Sequence, residues 1–192
     1  MSGTTKAHTE DGRRIISGIA IPFNSLSVNL GGFVEKFAPS AVDRTLREID
    51  VRALAHHDAG RLLGRVTART LRIAKRGGGL FYELELPDTS DGRDVFELVR
   101  RRDLTGASFG FSVPDGGDVW DFSRSVPLRI VTDARISEIS LVSWPAYQAS
   151  TAEVMTRAVR PAATVVSAAG RTGNRVEWLQ KWSRLKRAAE GL

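Results

Sequence analysis

Residues 80–86, Leu-Phe-Tyr-Glu-Leu-Glu-Leu, alternate without a break: Leu80, Tyr82, Leu84 and Leu86 fall on one side of an extended chain, Phe81, Glu83 and Glu85 on the other. Successive side chains of an extended backbone point to opposite faces, so a period of two marks a strand with one face buried and one solvated. Other stretches read as strands too: RRIISGIAIPF (13–23, closed by Pro22), VRALAHH (51–57) and LLGRVTARTLRI (62–73) before it, then GASFGFSV (106–113), DVWDF (118–122), VPLRIV (126–131) and ARISEISLV (134–142). NSLSVNLGGFVEKF is a loop broken at Gly31 and Gly32, KRGGG is a turn, and SWPAY ends the last strand. Two stretches read as short helices: PSAVDRTLRE, with Ser40 as N-cap and Val42, Leu46 and Ile49 at near-helical spacing, and GRDVFELVRRR, capped by Asp91 with Val95, Leu98 and Val99 on one face. The expected fold class is α+β: a mainly antiparallel, barrel-like β core of about seven strands with short peripheral helices, rather than alternating βαβ units.

The chain has 192 residues, 42% hydrophobic and 26% charged, enough for one domain with its own core. No apolar run reaches the ~20 residues of a membrane span, and Met1 to Arg14 lacks the apolar region of a secretory signal, so a soluble protein of the cytoplasm is expected. The absence of cysteine excludes disulfides, a thiolate nucleophile and cysteine-based zinc sites; three histidines leave little for another metal, and no cofactor is expected. Any chemistry falls to hydroxyls, imidazoles and carboxylates.

A net charge of +6 and a pI near 10.3 suggest nucleic-acid binding until the charge is located. From Met1 to Met155, 20 Lys and Arg face 20 Asp and Glu; from Thr156 to Leu192, 8 face 2. The body is balanced and the excess sits in the last 37 residues, with no groove-reading motif, which argues against nucleic acid as the partner. The expected organisation is a flexible segment 1–13, a folded domain 14–152, a linker 153–173 and a basic amphipathic helix 174–192. In that helix Asn174 and Glu177 resemble a capping box, and Trp178, Trp182, Leu185 and Ala189 share a face.

Three positions carry candidate chemistry. On an extended GASFGFSV, Ser108, Gly110 and Ser112 point away from Ala107, Phe109, Phe111 and Val113, leaving a hydroxyl on a face thinned by glycine that a peptide can approach. A solvated serine on a two-sided strand fits the same pattern, and G-A-S-F-G-F is not the nucleophile elbow G-x-S-x-G. A serine nucleophile needs a base near neutrality. His8 lies in the polar N-terminal segment, whereas His56 and His57 end a hydrophobic strand, where alternation sends one inward and one outward; divergent neighbours rarely ligate one ion. In RISEISLVSWP, Ile136, Glu138 and Ser140 share a face amid apolar sequence. A carboxylate there calls for a partner, either an arginine such as Arg135 or the imidazole of an active histidine.

Five stretches in one order, GFVEKFAPSAVDRTL, ALAHHDAGRLLGRV, GGLFYELELP, LTGASFGFSV and ISEISLVSWPAY, resemble the prohead (capsid maturation) protease family of tailed phages and prophages, whose fold is similar to the herpesvirus assemblins. The resemblance covers residues 14–150. It implies an assemblin-like serine endopeptidase with catalytic His57, Ser108 and Glu138, selecting His57 over His56 because the family's histidine precedes an Asp or Asn and, soon after, Leu-Gly. Ser40 departs from the Gly that many relatives carry after Phe-Ala-Pro, away from these three positions. The implied partners are the major capsid protein precursor with its scaffolding segment, the enzyme itself as a substrate, and a homo-oligomer as a further option; the implied place is the assembling prohead in the bacterial host cytoplasm. The competing reading is a catalytically silent capsid-assembly scaffold or adaptor that uses the same fold for binding.

Overall fold

A computed structural model describes residues 12–154 except 49 and 151. The elements run β1 (Arg14–Pro22), β2 (Val34–Phe37), a 3-10 turn (Pro39–Val42), α1 (Asp43–Glu48), β3 (Arg52–Ala55), β4 (Asp58–Arg65), β5 (Leu71–Arg76), β6 (Gly79–Leu86), α2 (Ser90–Arg101), β7 (Gly106–Ser112), β8 (Asp118–Asp121), β9 (Leu128–Val131), β10 (Arg135–Val142) and β11 (Glu153–Val154). The alternating strand β6 lies centrally in its sheet, with order β11-β1-β6-β5, and Leu80, Tyr82, Leu84 and Leu86 are all buried. A second sheet has the order β4-β3-β10-β7, and a third the order β2-β9-β8.

The described residues thus form a mostly β protein with two short α-helices, and the barrel-like core of about seven strands expected from sequence is corrected to eleven strands in three sheets, with no closed barrel among them. Two pairs, β3 with β10 and β2 with β9, are parallel. The single strand expected over 62–73 breaks at a turn with no glycine or proline: Arg69 adopts φ 61°, its amide bonds Val66 O at 2.9 Å, and Thr70 Oγ1 accepts the Arg65 amide at 2.9 Å. The loop expected after Pro22 contains β2, paired in parallel with β9, a contact set by residues far along the chain.

Both helix caps differ from expectation. Pro39 opens the 3-10 turn after Ala38, whose side chain cannot cap, while Ser40 Oγ donates to Thr132 O at 2.9 Å. Thr89, not Asp91, caps α2, its hydroxyl accepting the Gly92 amide at 3.2 Å; Asp91 instead takes Arg61 Nε at 2.7 Å and ties the helix to β4. Val95 and Val99 are buried while Leu98 is 37% exposed, so the apolar stripe of α2 is narrower than its sequence suggests.

The core beneath β7 is aromatic. Phe37 meets Phe109 and Phe111 edge-on at centroid distances of 5.1 and 4.9 Å, the tilted geometry that ring quadrupoles favour. With Ala107 and Phe109 buried in this cluster, the other face of β7, bearing Ser108, is turned away from it. The segment 153–154, expected to open a linker, pairs with β1. The segment 1–11, the remainder of that linker and the basic helix 174–192 lie outside the described residues.

Candidate active site

The site is laid out by strand register. β7 and β10 are antiparallel, and Ser108 stands opposite Ser140, with Gly110 opposite Glu138. Directly opposed residues share a sheet face, at Cβ separations of about 4.5–5.5 Å. Between Ile136 and Glu138 the register slips, a bulge in which Ser137 is the extra residue. Ile136 therefore joins Ile139 in the core, and the expectation that Ile136 shares a face with Glu138 and Ser140 is corrected. By re-aiming the strand, the bulge places a carboxylate on the open face without giving up the apolar contacts on either side of it.

His56 and His57 do not continue a strand, as the sequence suggested. They are the two residues of a tight turn joining β3 to β4, flanked by the pair Ala55–Asp58, with φ of 53° and 60°. Two-residue hairpins favour positive φ at both positions, because the resulting twist matches the strands, and histidine tolerates this region better than most side chains. β10 holds the turn by both amides: His56 N donates to Leu141 O at 3.0 Å and His57 N to Ser140 Oγ at 3.1 Å. His57 Nδ1 lies 2.7 Å from Glu138 Oε1, while the His56 ring makes no hydrogen bond among the described residues.

Glu138 is held at both oxygens, since Ser140 Oγ donates to Oε2 at 2.6 Å. Its side chain is 14% exposed and that of His57 47%, so the carboxylate is sheltered while the imidazole faces solvent. A neutral imidazole that donates from Nδ1 to a carboxylate leaves its Nε2 lone pair free. Arg135 does not compete for Glu138; it pairs with Glu48 at 3.4 Å. Gly110 has a role the sequence did not suggest. A Cβ built there would stand 2.7 Å from Glu138 Oε1 and 3.1 Å from its Cγ, so the face is thinned to seat the carboxylate.

Ser108 is half-buried and makes no hydrogen bond to His57 among the described residues; its position is fixed through the sheet, beside Ser140. The structure therefore joins His57 to Glu138 directly and brings Ser108 onto the same face by register. His8 lies outside the described residues.

Sequence reading missed a second polar cluster. Glu35 on β2 is 2% exposed, accepting Tyr147 Oη at 2.8 Å and Arg129 Nη1 at 2.9 Å, while Arg129 Nε also holds Asp118 at 2.7 Å. Burial raises the Glu35 carboxyl above its ordinary value, against the opposing pull of the Tyr147 and Arg129 hydrogen bonds; burial and the adjacent Glu35 also raise the Tyr147 phenol. This cluster anchors the turn after β10, whose Pro145 covers Gly106 and whose Ser150 Oγ donates to Ala107 O at 2.5 Å, next to Ser108. The available signal was an acid between Phe33 and Phe37 on an alternating face.

A carboxylate-bound imidazole and a strand serine carried by one mostly β scaffold are the residue types from which serine hydrolases build their sites. A family model of caudovirus prohead serine proteases matches residues 2–164, and the chain belongs to that family. It is accordingly a serine protease of capsid maturation, acting in the assembling phage capsid with capsid proteins as substrates. No curated protein matches the chain. Among the described residues no helix is long and apolar enough to cross a membrane.

Proposed function

We propose that the chain is an endopeptidase in which Ser108 is the nucleophile, His57 the general base and acid, and Glu138 the group that orients the imidazole. The observation that carries this reading is the 2.7 Å hydrogen bond from His57 Nδ1 to Glu138, which leaves Nε2 as the free base. Ser108 Oγ attacks the scissile carbonyl and passes its proton to Nε2. The imidazolium, stabilised by Glu138, then protonates the amine as the C–N bond breaks. Water, deprotonated by His57, hydrolyses the acyl-serine and restores the site. The serine–histidine contact forms on substrate binding, since such bonds tighten in the Michaelis complex.

The substrate class is the scaffolding segment of the major capsid protein precursor, other internal prohead proteins and the enzyme's own chain. The exposed imidazole supports this reading, because an extended polypeptide can approach it without entering a deep cavity. Co-expression of the Ser108→Ala variant with the cognate capsid precursor tests it. Full-length precursor is expected; trimming at the wild-type position would overturn the assignment.

A further inference from the structure

Ser140 has no part in the three-residue mechanism, yet its buried hydroxyl contacts both members of the imidazole–carboxylate pair. We propose that Ser140 is a positioning residue that closes a hydrogen-bonded ring through Glu138 and thereby fixes the main chain and side chain of His57 together, an inference that rests on the roles given above to Ser108, His57 and Glu138. A hydroxyl has one hydrogen to donate and two lone pairs with which to accept. At 2.6 Å from Glu138 Oε2 the hydrogen is committed to the carboxylate, and a lone pair accepts the His57 amide at 3.1 Å. The ring runs from His57 N–H to Ser140 Oγ, to Glu138 Oε2, across the carboxylate to Oε1, and back to His57 Nδ1 at 2.7 Å. Each donor in such a chain polarises the next.

Two further observations give the ring a purpose beyond satisfying a buried hydroxyl. His57 is held at φ 60°, a region that the two-residue turn requires and that histidine tolerates at some cost, and Ser140 supplies the acceptor for its amide. Ser140 is also the register partner of Ser108, so the clamp stands one strand from the nucleophile. With the His57 ring fastened to Glu138 directly and its amide fastened through Ser140, the direction of Nε2 follows from the sheet rather than from a free side-chain torsion.

The test is the rate at which a fluorophosphonate probe labels Ser108 in the full chain, read by intact and peptide mass spectrometry beside the thermal midpoint. Ser140→Ala is expected to slow labelling about 10- to 100-fold in a folded protein, the scale of a lost hydrogen bond to a charged group. Ser140→Cys, similar in size but a much weaker donor, should behave alike, and Ser140→Thr, which keeps the hydroxyl, should recover most of the rate. In a Glu138→Ala background the ring is already open, so Ser140→Ala should cost no more than about threefold further. Wild-type labelling by Ser140→Ala, or an equal loss in both backgrounds, would overturn the inference. Absence of Ser108 labelling in the wild type would instead overturn the underlying assignment. If Ser140→Thr fails to fold, the comparison of backgrounds decides alone.

Discussion

Replacing Gly110 by alanine separates stability from catalysis more cleanly than any change to the three central residues. The added methyl would lie 2.7 Å from Glu138 Oε1, 3.1 Å from its Cγ and 3.2 Å from Ser137 Oγ. Carbon and oxygen in ordinary contact stand about 3.4 Å apart or more, so the carboxylate must retreat by roughly 0.7 Å. Oε1 is the end of a side chain, but the carboxylate is held at both oxygens, so its retreat carries an overpacking penalty of ~1–3 kcal/mol, offset in part by the ~0.4–1 kcal/mol that Gly→Ala gains by restricting the unfolded chain. The same oxygen holds His57 Nδ1, however, and a misplacement of about 1 Å at a catalytic group can cost ~10²-fold. The variant should therefore melt within a few degrees of wild type while its fluorophosphonate labelling rate falls about 10- to 100-fold. Labelling at the wild-type rate in a folded variant would refute the claim that the Glu138 position governs His57.

Substituting each turn histidine provides a matched pair. Alanine at either position must adopt positive φ, costing roughly 1 kcal/mol in both, but His57→Ala should lower activity about 10²–10⁴-fold and His56→Ala by no more than about threefold; equal losses would remove the distinction between them. Glu138→Gln keeps the shape of the side chain but not its charge, and should lower kcat/KM by about 10²-fold while leaving more activity than Ser108→Ala; equal rates for those two would contradict an orienting role. Burial holds the Glu35 carboxyl above its ordinary 4.5, so between that pH and its folded value the native state keeps a proton the unfolded chain has released. Its contribution is fully present below pH 4.5 and is lost as pH rises through the folded value, so Glu35→Gln should flatten the decline in stability seen in denaturant melts as pH rises above 4.5; an unchanged slope would contradict this assignment.

β6 was legible in the sequence because alternation and burial are the same fact at its positions, and β1 because its β-branched run closed by Pro22 marks a strand even though its burial does not alternate. What remained hidden was set by distant partners. β2 is only four residues long and is extended by pairing with β9, some ninety positions away. The turn at Val66–Thr70 lacks glycine and proline and depends on a side-chain bond from Thr70. The three candidate site residues carry signals of residue type, but the geometry uniting them does not. A bulge at Ser137 separates Glu138 from Ile136, and a hairpin twist turns His57 rather than His56 toward the carboxylate. Ser140 reads as one more polar residue in RISEISLV, and only the pairing of three strands exposes its two hydrogen bonds.

The most direct measurement is to identify which residue of the full-length protein a fluorophosphonate modifies. A single adduct on Ser108 is expected, absent from Ser108→Ala and strongly slowed in His57→Ala while both remain folded by circular dichroism. An adduct on Ser112 or Ser140 in the wild type, or undiminished modification of Ser108 in the absence of His57, would contradict it.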